Sequence, residues 1–178
     1  MARKPRISTG GVIYHVINRA NAKKKIFESE NDYLFFKKIF LKTVKDFSMP
    51  VLGYCIMPNH WHLLLHPQTD GELPLFMKRL TETHAQGYHR IHGTTGTGHI
   101  YQDRYKSFLV EDESYLSTLY RYIESNPLRS GLVSKCEEWR WSSLRERIGR
   151  EKGTKILCKS PIELPRDYLF SINAVKGV

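Results

Sequence analysis

A chain of 178 residues, 40% of them hydrophobic, is long enough to bury one proper core and reads as a single globular unit. No apolar run approaches the ~20 residues of a membrane span and no signal-peptide pattern opens the chain, so a cytoplasmic, membrane-free protein is expected. A formal charge of +10, from 28 Lys and Arg against 18 Asp and Glu, points to a polyanionic partner, nucleic acid before others.

The cations are unevenly spread. Met1 to Phe27 carries Arg3, Lys4, Arg6, Arg19, Lys23, Lys24 and Lys25 and no acid. Clustering of this kind suits phosphate contact, because each neutralised phosphate releases counterions. The three cysteines, Cys55, Cys136 and Cys158, match neither a zinc spacing nor a disulfide framework and read as reduced thiols.

In chain order, "GGVIYHVINR" (10–19) follows a Gly pair and is β-rich, which predicts a first strand. In 29–47, Tyr33, Phe36, Phe40, Val44 and Phe47 recur at helical spacing, and Ser29 with Asp32 forms a capping-box pattern. "PVLGYCIM" (50–57) predicts a second strand. A tight turn at Pro58–Asn59 returns it into "HWHLLLH" as a hairpin.

Residues 72–91 predict a helix with Phe76, Leu80, Gly87 and Ile91 on one stripe, followed by a Gly-rich loop. That loop lacks the Gly-Lys-Ser/Thr ending of a phosphate loop. "YKSFLV" (105–110) predicts a strand. Residues 111–127 predict a helix with acids in its first turn, ending before Pro127. The order β-α-β-β-α-β-α is that of a ferredoxin-like α+β unit with one extra helix. It is expected to occupy residues 1–147, with 148–178 as a peripheral extension.

His60 and His62 are the chemical focus. Residues two apart on a strand share a face, roughly 7 Å apart at Cα, so two imidazoles can converge on one ion while Trp61, Leu63 and Leu65 fill the core. His66 shares that face but lies two steps further on. Tyr122 and Asn126, four apart, share a helix face. An amide oxygen can complete a divalent-ion site begun by two imidazoles. The same residues also admit a bland reading: surface histidines, a core stripe of Tyr115, Leu119 and Tyr122, and a C-terminal turn asparagine.

Taken together and in order, "YHVINRANAKKKIF", "GYCIMPNHWHLLLHP", "IYQDRYKSFLVEDESYLSTLYRYIESNPLRSGLV" and "EWRWSS" resemble the REP-associated tyrosine transposases, a branch of the single-tyrosine HUH transposases. The resemblance spans about residues 3–145. It implies an HUH-endonuclease fold, with His60 and His62 as metal ligands, Asn126 as third ligand, Tyr122 as nucleophile, and Mg²⁺ or Mn²⁺ as cofactor. It implies cleavage and rejoining of single-stranded DNA near hairpins of repetitive extragenic palindromes, by a monomer in preference to a homodimer.

Such chemistry uses the phenol of Tyr122 to form a 5′-phosphotyrosine. Tyr120 lies about 200° round the helix from Tyr122 and Tyr115 is two turns from Asn126, so neither competes. Arg104 and Lys106 are expected near the cut, and Arg79, with Lys78 and Arg90, on the second helix. A DNA-binding descendant without catalysis, and a metal-dependent hydrolase using an activated water, are the competing readings.

Overall fold

The computed structural model describes residues 8–174, and Arg3, Lys4 and Arg6 lie outside the described residues. Four strands form one antiparallel sheet: β1 (Tyr14–Arg19), β2 (Val51–Met57), β3 (His60–Leu65) and β4 (Lys106–Leu109), in the spatial order β2-β3-β1-β4. Helices α1 (Glu30–Phe47) and α2 (Glu72–His92) connect them, and α3 (Glu113–Arg129) follows β4. This is the ferredoxin-like order expected, with α3 added.

Pleating divides the chemistry between the two faces of the sheet. The register Arg19↔His60, Ile17↔His62 and Ile17↔Lys106 puts these side chains on one face. Trp61, Leu63, Leu65 and Val16 take the other, in a core with Phe36 and Phe40 of α1 and Phe76 and Leu80 of α2. A second core lies on the histidine face, where Leu116, Leu119, Tyr120 and Ile123 of α3 cover Leu52, Cys55 and Leu64.

Local signals explain most of the boundaries. Ser29 and Asp32 form the expected capping box at α1. A Cβ added at Gly87 would stand 2.2 Å from the tip of the Phe35 ring, which would have to swing aside. Ile91 departs from the expected stripe and is 58% exposed. The last turn of α2 meets α1 through His92, 2.8 Å from Asp32, and the neighbouring Ile91 faces solvent.

Two other expectations change. Helix α3 passes through Pro127 and ends at Arg129. The proline leaves the Ile123 carbonyl without its usual donor, but the ladder resumes at once with Ser130 N–H donating to Asn126 O (2.9 Å), and Gly131 at φ 68° closes the helix. The stretch after residue 148 is integrated rather than peripheral. Ile156, Tyr168 and Ile172 are buried, with Tyr168 and Ile172 packing in the core under α3. Cys158 N–H donates to Val51 O (2.8 Å), and Ile56 N–H donates to Trp141 O (2.9 Å) in the "EWRWSS" segment. Both segments therefore cover the outer edge of β2, whose backbone would otherwise be an open pairing edge.

Cys55, Cys136 and Cys158 are unpaired, the first two buried. No helix among the described residues is long and apolar enough to cross a membrane.

Candidate active site

The Pro58–Asn59 turn places His60 at the start of β3, where its Nδ1 lies 2.7 Å from Asn59 Oδ1. His62, two residues on, is 3% exposed beneath α3. Its Nε2 lies 3.1 Å from Asn126 Nδ2, and its ring meets that of Tyr122 edge-on at 5.6 Å between centroids. The His60 and His62 rings are 5.1 Å apart. Residues 60, 62, 122 and 126, far apart in sequence, therefore line one site.

Burial pulls the His60 pKa down to about 4, helped by the nearby Arg19 charge, and holds that of His62 well below its ordinary value. Both rings are neutral at pH 7 and keep lone pairs for a ligand. Two neutral imidazoles and an amide make an N,N,O set that suits a divalent cation. Asn126 Oδ1 accepts from Ser130 Oγ (3.3 Å) as it stands, so ligation through that oxygen requires the amide to turn over. Among the described residues no three His, Cys, Asp or Glu side chains form a group that could hold a metal ion.

Helix α3 is held in place from below. Glu124, fully buried, accepts from Ser143 Oγ (2.6 Å), Arg147 Nε (2.9 Å) and Tyr168 OH (2.8 Å). Arg147 also donates to Leu52 O on β2 (2.7 Å) and stacks over Tyr120. This network ties the buried side of α3 to the sheet and the C-terminal segment. Tyr120 is thereby confined to the core, while Tyr122 on the other side is 38% exposed. Tyr115, 39% exposed, is not the core residue its stripe implied.

Two residues escaped the sequence reading. His15 on β1 stacks on His62 at 5.2 Å, with Nε2 3.0 Å from His62 Nδ1. Burial lowers its pKa to about 4. The Arg129 guanidinium lies 4.9 Å from the Tyr122 ring centroid. The separation of seven residues, two helical turns, was a signal for Arg129. His15 had none, because strand pairing alone brings it beside His62.

The basic candidates separate. Arg19 and Lys106 are exposed on the histidine face, beside the half-exposed Phe108. Arg104 and Lys78 line a cavity of about 920 Å³ between α2 and the 96–105 loop, which Asn18 floors from the opposite sheet face. Arg79 and Arg90 are exposed on α2, also away from the histidines. His66 lies past the end of β3 remote from the turn, its N–H donating to Pro50 O (3.0 Å).

The sequence pattern of the family described as "Transposase IS200 like" matches residues 8–126. A sheet-and-helix unit with paired histidines opposite a helical tyrosine is thus a transposase domain, and the chain belongs to the IS200-like transposase family. Within it, the similarity is to REP-associated tyrosine transposases. One from Escherichia coli K12 is 21% identical over 142 residues, covering 79% of this chain and 81% of that protein. A provisionally named one from Haemophilus influenzae Rd is 24% identical over 125 residues, covering 65% and 70%.

The fold agrees. A solved REP-associated tyrosine transposase bound to a REP hairpin superposes with a TM-score of 0.66 at 17% identity, covering 93% of this chain and 99% of that one. A provisionally assigned transposase from Deinococcus radiodurans R1 superposes at 0.50 and 21% identity, covering 69% and 96%.

Proposed function

We propose that this chain cuts and rejoins single-stranded DNA beside hairpins of the repetitive extragenic palindrome type, through a covalent bond to Tyr122. The observation that carries the reading is the convergence of Tyr122 and Asn126 on His62, with His60 beside it. The match to a transposase bound to a REP hairpin supports the choice of DNA.

Tyr122 stands at the exposed rim of the site, where a strand can reach it. Its phenolate oxygen attacks a backbone phosphorus, the bond from phosphorus to the 3′-oxygen breaks, and that oxygen leaves as a 3′-hydroxyl. The phenol proton goes to solvent, the departing 3′-oxygen takes a proton from solvent, and the strand's 5′-phosphate stays on the tyrosine. One phosphodiester replaces another, so an incoming 3′-hydroxyl can reverse the step and rejoin DNA without a nucleotide cofactor. Arg129, stacked over the ring, offers positive charge to the phosphate. Arg19 and Lys106 flank the histidines on the same face and suit the neighbouring phosphates. His60, His62 and Asn126 would hold Mg²⁺ or Mn²⁺, which when bound supplies charge neutralisation at the phosphate.

The test is incubation with 5′- or 3′-labelled hairpin-bearing single strands and Mn²⁺ or Mg²⁺. A denaturing gel should show a covalent adduct carrying the 5′-phosphate side, and digestion with mass spectrometry should place it on Tyr122. An adduct on Tyr115 or Tyr120, or a 3′-phosphate linkage, would overturn the mechanism. Cleavage that survives Tyr122→Phe would indicate a hydrolase using water.

A further inference from the structure

His15 is 5% exposed, lies on the central strand β1 and contacts both site elements. Its ring is stacked on His62 with 19° between planes and meets Tyr122 edge-on at 6.3 Å. With the Asn126 amide as it stands, before any turn toward a metal, the polar contacts around His62 form a chain with one consistent proton assignment. Ser130 Oγ donates to Asn126 Oδ1 (3.3 Å), which leaves the Asn126 amide nitrogen facing His62 Nε2 (3.1 Å). An amide nitrogen only donates, so Nε2 carries the lone pair. The proton of neutral His62 is then on Nδ1, 3.0 Å from His15 Nε2, which must accept it.

We propose that His15 is a positioning residue: by accepting the Nδ1–H of His62 it fixes the tautomer and ring orientation that leave Nε2 free to bind metal. A ligating histidine usually gives its second N–H to a carboxylate, a carbonyl or water. Here a second imidazole takes that part. Stacking restrains rotation of the His62 ring, and the hydrogen bond selects which nitrogen is bare. A residue of similar shape without an acceptor, such as phenylalanine, would keep the first restraint and lose the second.

This role rests on the proposed reading of the site, and its test separates the two. The protein is labelled with ¹⁵N, and long-range ¹H–¹⁵N correlation spectra of the side chains are recorded without metal. Wild type should show His62 protonated at Nδ1 and bare at Nε2. Wild-type His62 protonated at Nε2 overturns the proposal outright, and needs no variant to fold.

In His15→Phe, His62 should shift toward the other tautomer or a mixture, and Mn²⁺ affinity measured calorimetrically without DNA should fall about 10- to 100-fold. His15→Gln, whose Oε1 can accept, should restore the Nδ1–H form and most of that affinity. A folded His15→Phe with unchanged tautomer and Mn²⁺ affinity overturns the role of His15, whatever the adduct assay shows. Conversely, wild type that shows the Nδ1–H form and binds Mn²⁺ yet never forms an adduct supports the positioning role and sinks the phosphotyrosine reaction.

Discussion

The two faces of the sheet each bury a histidine among aromatic rings, in different company. On the α1–α2 face, His84 is 1% exposed, stacked on Phe27 and edge-on to Phe36. Its Nδ1 lies 2.7 Å from Tyr101 OH, which accepts from Trp61 Nε1 (3.1 Å). Its Nε2 faces no polar partner. On the α3 face His62 is nearly as buried, yet its neighbours are His15, His60, Asn126 and the half-exposed Tyr122. Burial alone does not make a histidine chemical. The α3 face adds converging donors and an opening to solvent, whereas the α1–α2 face closes over a structural link. Trp61, between His60 and His62, belongs to that link: its indole N–H needs a buried acceptor, and Tyr101 supplies it.

The sharpest way to break this comparison is at the two faces' central residues. Tyr122→Phe should lose all adduct while folding and binding hairpin DNA as before, because only the oxygen is removed. His62→Ala should cut cleavage by about 10²- to 10³-fold or more, with hairpin affinity nearly unchanged. His84→Ala should do the reverse. Cleavage persists in the folded fraction, and stability falls by about 2 kcal/mol through lost packing and the loss of one of the Tyr101 hydroxyl's two partners. Loss of cleavage in folded His84→Ala, at temperatures where circular dichroism shows native protein, would erase the distinction.

Next in size is the support under α3. Glu124→Ala would leave Arg147 buried without its carboxylate and should destabilise the fold by about 3–5 kcal/mol in urea unfolding. A change under 1 kcal/mol would mean that α3 is held by apolar contact alone.

The pH dependence tests both faces together. Burial lowers the pKa of His15 and His60 to about 4 and of His84 to about 3. The unfolded chain takes up protons on these rings near pH 6.5, before the folded chain does, so folding stability is full above that value. It should fall as pH drops from about 6.5 toward 4, each ring contributing up to about 1.4 kcal/mol per pH unit. Urea midpoints at pH 7, 6 and 5 read this out. Midpoints that do not fall across the series would contradict the buried neutral state.

The smallest effects belong to the rim. Arg19→Ala or Lys106→Ala should weaken hairpin binding a few-fold and flatten the salt dependence by about one unit of log–log slope. Arg79→Ala, on the other face, should change less. Equal losses at all three would show that the DNA does not distinguish the faces.

What the sequence by itself determined was local. The capping box at Ser29, the period-two alternation of 60–65 and the helical spacing of 111–127 dictated the elements, their order, and a face shared by His60 and His62 and another by Tyr122 and Asn126. These follow from backbone geometry over a few residues. Only the tertiary structure decided what stands opposite what. The pairing of β1 with β3 brings His15 to His62 across 47 residues. The Glu124 network turns Tyr120 into the core and Tyr122 outward. The segment after residue 148, featureless as a pattern, covers the edge of β2. The Asn126–Pro127 pair, an ordinary helix stop, was overridden by the ladder that resumes at Ser130. Such contacts depend on strand register and on which helix covers which face. Periodicity says which side of an element is apolar, and no residue within that element records the partner that will cover it.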